Sequence, residues 1–115
     1  MWYSLVELKK TEKDGMAAKV TTDGDSPWFS GHFPKDPVLP GIAQLEMIAD
    51  LITASREDTL RMTGLSRIKF RKIVRPGELL DIHAACGKKK DLYTFRITSR
   101  NEEVCSGIML FAQKK

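Results

Sequence analysis

The sequence predicts an α+β domain in which one long helix lies against an antiparallel sheet of five or six strands. Two observations carry this. Between Gly41 and Ala54 nine of fourteen residues are apolar, and they spread round most of a helix's circumference, so the rest of the fold wraps this helix. After Gly64 the apolar period becomes two and stays so to the end of the chain, the mark of consecutive half-buried strands.

Taken in order, the first ten residues alternate unevenly, with Trp2, Val6 and Leu8 available to one face, which suits a strand. Thr11 to Gly15 is a turn cluster ending in the hairpin signal Asp14-Gly15, and Met16 to Thr22 forms the second arm. Asp23 to Pro27 breaks that arm and opens a loop carrying His32 among Pro34, Pro37 and Pro40. Each proline fixes φ and removes an amide donor, so the loop is stiff and irregular. Pro40 suits the first helical position, which puts Gly41 one step inside, where helix amides lack a carbonyl partner of their own. Beyond the helix lies a polar stretch, residues 55–64, whose structure the pattern leaves open.

Ile68 and Phe70 then oppose Arg67, Lys69 and Arg71 in a half-buried strand with a basic outer face. Arg75-Pro76-Gly77 turns the chain. Leu80, Ile82, Ala84 and Cys86 share one face of the next strand, and Gly87 to Asp91 forms a hairpin tip. Tyr93, Phe95 and Ile97 line a third strand, and Arg100-Asn101-Glu102 turns into a last one from about Glu103 to Phe111. No repeat, linker or low-complexity segment interrupts the pattern, so one domain, 1–115, is expected.

A chain of 115 residues with 42% hydrophobic and 30% charged residues is neither disordered nor fibrous. Its core is modest, which leaves room for a partner subunit to add to it. No apolar run reaches the roughly 20 residues of a membrane-spanning helix, and the N-terminus lacks a basic region followed by an apolar one, so a cytoplasmic location is expected. Cys86 and Cys105 have neither zinc spacing nor disulfide density and read as reduced residues. The net charge of +4 invites a nucleic-acid reading, but aromatic content is 8% and no nucleic-acid motif is present. A small acidic partner accounts for the same charge.

The chemistry concentrates between Trp28 and Asp50. His32, one of two histidines, stands in the stiff loop beside a helix start, with a carboxylate nearby in sequence. His83 falls on the polar face of its strand and reads as a surface residue. Glu46 lies in the second turn of an otherwise apolar helix, so it lines a cavity or marks a wet seam. Asp50 is four residues on and shares its face. Two acids one turn apart and partly desolvated hold protons more tightly than isolated ones, and a carboxyl protonated near neutrality is a competent general acid. The Gly41 amide, at the positive end of the helix dipole, can stabilise charge on a carbonyl oxygen. A base, an acid and an oxyanion donor, without metal ligands or a nucleophile, suit proton abstraction beside a carbonyl and elimination of water.

Phe29-Ser30-Gly31-His32-Phe33-Pro34, then Pro37-Val38-Leu39-Pro40-Gly41 and Glu46, resembles the signature of the FabZ-type 3-hydroxyacyl-[acyl-carrier-protein] dehydratases, which have a hotdog fold. Ile68 to Arg71 and Arg75-Pro76-Gly77-Glu78-Leu79 resemble that family's strand and turn after the helix, and the likeness runs from about Val6 to Phe111. The resemblance implies that His32 takes the C2 proton of a 3-hydroxyacyl thioester, Glu46 protonates the departing C3 hydroxyl, and the Gly41 amide holds the thioester carbonyl. It implies a homodimer or higher homo-oligomer with the site at the subunit interface, where the histidine and glutamate of one site come from different subunits, and no cofactor or metal. It also implies an acyl carrier protein as partner, for whose acidic surface Arg67, Lys69, Arg71, Lys72 and Arg75 form a cationic band.

Three departures stand out. Asp50 replaces the family's usual glutamine. Lys35-Asp36 replaces its common Gly-Arg, and Asp36-Pro37-Val38 resembles the FabA type. The sequence also begins without the family's usual N-terminal helix and proline-aromatic segment, which leaves substrate length and oligomer size open. Two other readings compete with dehydration: a hotdog thioesterase, and a non-catalytic hotdog subunit paired with an active partner.

Overall fold

The computed structural model describes residues 2–24 and 38–114. Its elements are β1 (Tyr3–Lys10), a 3-10 turn (Glu12–Asp14), β2 (Met16–Thr22), α1 (Gly41–Ser55), β3 (Leu60–Phe70), β4 (Leu79–Cys86), β5 (Leu92–Ser99) and β6 (Glu102–Gln113). The strands form one six-stranded antiparallel sheet in the order β1-β2-β4-β5-β6-β3. One helix packed on this curled sheet is the arrangement the resemblance implies.

Period two sorts the central strands as expected. Leu80, Ile82 and Ala84 of β4 and Tyr93, Phe95 and Ile97 of β5 are buried, while His83, Thr94 and Arg96 face outward. The helix meets them with Ala43, Met47, Ile48, Leu51 and Ile52, all buried. Its exposed stripe is Ile42, Glu46, Asp50 and Ala54, every fourth residue, so the wrapping is open along one seam. Cys105 is buried in the core, where burial pushes its thiol up to about 12, and Cys86 is half-buried; both are free thiols.

Several expectations are corrected. Tyr3, not Val6, is the buried residue of β1; Val6 is 60% exposed because the register shifts between Leu5 and Glu7, and one extra residue turns the following side chains to the other face. At the first hairpin tip the left-handed residues are Lys13 and Asp14 (φ 53° and 63°), while Gly15 is extended. The stretch left open by the pattern is a turn, with Glu57 and Asp58 left-handed, followed at once by β3, which starts four residues before Gly64. Phe70 is half exposed, because β3 is an edge strand whose inner face is only partly covered by the chain itself.

The C-terminal end of α1 is fixed by a polar clasp. Arg56 Nη1 donates to the Tyr93 hydroxyl (2.8 Å) and pairs with Asp91 Oδ1 (3.3 Å), while the Tyr93 hydroxyl donates to the Asp14 carbonyl (2.7 Å). Gln113 Nε2 satisfies the other Asp91 oxygen at 3.0 Å. The clasp ties the helix end to two hairpin tips and to β6, and so sets where the helix's other end, the start, points. Among the described residues no helix is long and apolar enough to cross a membrane.

Candidate active site

The helix start is built by the segment before it. Leu39 is buried, and its amide donates to the Val74 carbonyl at 2.7 Å, which pins the approach to the connection between β3 and β4. Pro40, with ψ 150°, stays outside the helix as its N-cap, one residue earlier than its expected role; its carbonyl accepts from the Ala43 and Gln44 amides at 3.1 and 3.2 Å. Gly41 is therefore the first helical residue, and its amide points out of the helix start. Gln44 is buried beneath, donating through Nε2 to the Leu39 carbonyl at 3.4 Å, while its Oε1 has no partner among the described residues.

Phe70 lies directly against this start. A Cβ on Gly41 would fall 2.6 Å from its Cζ and 2.8 and 3.0 Å from its two Cε atoms. Nothing in the local pattern announces this contact. Glycine at 41 thus puts no side chain of its own beside the amide and makes space for a ring from the far end of β3.

Glu46 and Asp50 follow on the exposed seam, which decides for the wet seam over a cavity within the protomer. Partial burial, and then the neighbouring Glu46 carboxylate, push the Asp50 carboxyl above the usual range. Tyr3 of β1 is the third group here. Burial first, then the charges of Asp50 and Glu46, push its phenol up to about 12, so it remains a neutral hydroxyl beside the two acids. The sequence reading missed Tyr3, since the uneven alternation of β1 gave no reason to choose it over its neighbours.

His32 lies outside the described residues. His83 is exposed on β4, directly opposite Arg96 of β5. Among the described residues no group of three or more His, Cys, Asp or Glu side chains could hold a metal ion.

The cationic band divides. Arg67, Lys69 and Arg71 line an open groove of about 890 Å³ on the outer face of the sheet, together with His83 and Arg96. One carboxylate, Glu103, bridges Arg71 (2.6 Å) and Arg96 (3.3 Å) there. Lys72, paired with Glu102 at 3.6 Å, and Arg75, in the connection to β4, do not line the groove. Arg96 belongs with the band but escaped the sequence reading, although its outward phase between Phe95 and Ile97 was available.

Comparison with known proteins identifies the family. A family model described as ApeI-like, ApeI dehydratase, matches residues 8–108. A 3-hydroxyacyl-[acyl-carrier-protein] dehydratase FabZ of Caldicellulosiruptor saccharolyticus is 32% identical, over 96% of this chain and 84% of its own. One of Pediococcus pentosaceus is 36% identical, over 96% and 80%. Among solved structures, the dehydratase heterocomplex ApeI:P from Xenorhabdus doucetiae superposes with a TM-score of 0.87 at 23% identity, covering 97% of this chain and 99% of that one. An uncharacterized protein from Erwinia carotovora superposes with a TM-score of 0.79 at 24% identity, covering 98% of each chain. With its hotdog sheet, its helix opening at Gly41 and a matching model over most of its length, the chain belongs to the ApeI-like family of FabZ-related dehydratases.

Proposed function

We propose that this protein dehydrates 3-hydroxyacyl thioesters carried on an acyl carrier protein to trans-2-enoyl thioesters, in the cytoplasm, within fatty-acid or specialised lipid, polyene or polyketide synthesis. The observation that carries the reading is the helix start: a glycine amide at Gly41 with no carbonyl partner among the described residues, and Glu46 just over one turn further on along an exposed seam. The thioester carbonyl accepts from the Gly41 amide, where the helix dipole stabilises the charge that grows as C2 loses its proton. His32 takes that proton. The C2–H electron pair becomes the C2–C3 double bond, the C3–O bond breaks, and Glu46 gives its proton to the departing oxygen, which leaves as water. No step in this account uses a metal or cofactor.

A second copy completes the site. The edge strand β3 exposes Met62, Leu65 and Phe70, and Ile42, one helical turn before Glu46, is 69% exposed. Together these give one protomer a strand edge unpaired among the described residues and exposed apolar side chains, suited to a homodimer with the site at its interface. The groove formed by Arg67, Lys69, Arg71 and Arg96 suits an acidic carrier protein, and Lys72 and Arg75 extend the band toward β4.

The test follows enoyl formation and free thiol together, with a 3-hydroxyacyl carrier protein and with the matching pantetheine thioester. Enoyl product without thiol is expected. Added salt should raise KM for the carrier-protein substrate and leave the pantetheine thioester unaffected, since only the former needs the basic groove. Thiol without enoyl would overturn dehydration in favour of a thioesterase. Neither product across several chain lengths would favour the non-catalytic subunit.

A further inference from the structure

Glu103 is the one carboxylate among the described residues that line the outer groove, and both of its oxygens are taken by groove arginines. Oε2 accepts from Arg71 Nε at 2.6 Å, and Oε1 pairs with Arg96 Nε at 3.3 Å. The two arginines approach from opposite sides, for Glu103 stands on β6, which runs between β5, bearing Arg96, and β3, just past whose end Arg71 lies. The backbone fixes both stems: Arg96 is directly opposite Ser106 of β6, and the Arg71 amide donates to the Val104 carbonyl at 2.8 Å. Each guanidinium is held at Nε, on its stem side, and among the described residues no Nη atom of either arginine makes a hydrogen bond. The Glu103 side chain is 28% exposed, against 54% for Arg71 and 65% for Arg96, so the acid is the sheltered partner and the cations stay open to solvent. Two like charges drawn to one place repel, and without the carboxylate between them these long side chains would swing apart.

We propose that Glu103 is a positioning residue for partner docking: it holds Arg71 and Arg96 side by side as a double fork, whose Nη edges receive carboxylates on the surface of the acidic carrier protein. The inference rests on the dehydratase reading above, which supplies that partner. A guanidinium is planar and rigid, and one held through Nε keeps all the donors of its Nη atoms to offer. A carboxylate meets such an edge with two parallel hydrogen bonds, which fix orientation as well as neutralise charge. Counting charge alone gives the opposite expectation. Glu103 offsets one of the four cations Arg67, Lys69, Arg71 and Arg96, so neutralising it would strengthen the groove's hold on an acidic partner. If Glu103 positions the arginines, neutralising it weakens that hold. Glutamine keeps one acceptor oxygen and turns an amide donor toward the second arginine, so it cannot hold both.

The experiment measures kcat and KM at low salt for a 3-hydroxyacyl carrier protein, the matching 4′-phosphopantetheine thioester and the matching pantetheine thioester, using the full chain. Glu103→Gln should raise KM for the carrier-protein substrate about threefold or more, the loss of two exposed ion pairs, and leave kcat and both small thioesters within twofold of wild type. Glu102→Gln makes the same change of charge one residue away, at a carboxylate paired with Lys72 outside the groove, and should leave that KM at or below the wild-type value. Turnover of the pantetheine thioester reports, in each variant, that the protein is folded, and Glu103→Asp, which keeps both acceptor oxygens on a shorter stem, should fall between wild type and Glu103→Gln and serves alone if the glutamine variant does not fold. A carrier-protein KM that falls or stays within twofold in Glu103→Gln, or that rises equally in Glu102→Gln, overturns this inference alone. A rise in KM for the 4′-phosphopantetheine thioester as well would make a phosphate the occupant of the fork and overturn the carboxylate assignment. Failure of wild type to form enoyl product from any of the three overturns the dehydratase reading and this inference with it.

Discussion

Replacing Glu46 with glutamine should move activity and stability in opposite directions. Glu46 lies five residues beyond Gly41, a rise of about 7.5 Å along the helix at about 1.5 Å per residue. A helical side chain leans back toward the N-terminus, which shortens that separation for the Glu46 carboxyl, the group proposed to protonate the departing hydroxyl. Asp50, about 13.5 Å along by the same rise, is too far away to substitute. Loss of a general acid costs about 10²–10⁴ in rate, equivalent to roughly 3–5 kcal/mol of barrier. Stability should respond differently. Glu46 is exposed, makes no salt bridge among the described residues, and raises the proton affinity of Asp50 one turn away, so the two like charges oppose each other in the folded state. Relieving such an i, i+4 repulsion is worth about 0.2–0.5 kcal/mol, or roughly 1–4 °C in Tm for a domain of this size. Enoyl absorbance gives the rate, and calorimetry at fixed protomer concentration gives Tm, since assembly shifts it. Turnover within fivefold of wild type would remove Glu46 from the mechanism. A rate loss accompanied by a fall in Tm of several degrees would make its role structural.

Two further substitutions test the surroundings. The Asp50 carboxyl binds its proton more tightly in the folded chain than in the unfolded one, through partial burial and then Glu46, so stability is highest with Asp50 protonated and falls as pH rises through its folded pKa; Asp50→Asn should therefore melt above wild type at pH 7 and merge with it below the usual carboxylate range, and a constant offset across the titration would refute the linkage. Arg56→Met leaves the buried Asp91 carboxylate facing only Gln113 and should cost about 3–5 kcal/mol, read as a loss of Tm well above 10 °C, part of which Asp91→Asn in the same chain should restore; an Arg56→Met protein that melts with wild type would show that the clasp does not set the helix end.

The parts of the fold that were legible in the sequence are those where burial is set by one face of one element. β4 and β5 lie in mid-sheet, and their alternation survives in every residue; the helix is apolar at its buried positions apart from Gln44 and Ser55. At the margins the pattern fails for physical reasons. β3 starts at Leu60, but Arg61, Met62 and Thr63 are all exposed, so an edge strand carries no contrast between its faces there. In β1 one extra residue between Leu5 and Glu7 breaks the phase, which hid Tyr3. The site divides in the same way. Gly41 and Glu46 could be found because proline, glycine and the helical period are local signals. The approach of Tyr3 to the two carboxylates and of Phe70 to Gly41 joins elements far apart in the chain, and no spacing rule reports it.

The bulge in β3 decides which chemistry appears on which side of the sheet. Ser66 pairs with Ile108 and Lys69 with Ser106, so Arg67 and Ile68 together oppose the single residue Gly107. The glycine is what permits this. A Cβ at 107 would run into the Ile68 side chain and lie 3.2 Å from the Ile68 Cα, so the bulged backbone sits where a side chain would have been. Without the extra residue every side chain after it would change face, because strand phase is strictly two. Phe70 would then leave Gly41 for the outer groove, and the charges of Lys69 and Arg71 would turn inward to the helix start. A one-residue irregularity thus keeps the Phe70 ring and the basic groove on opposite sides of one strand.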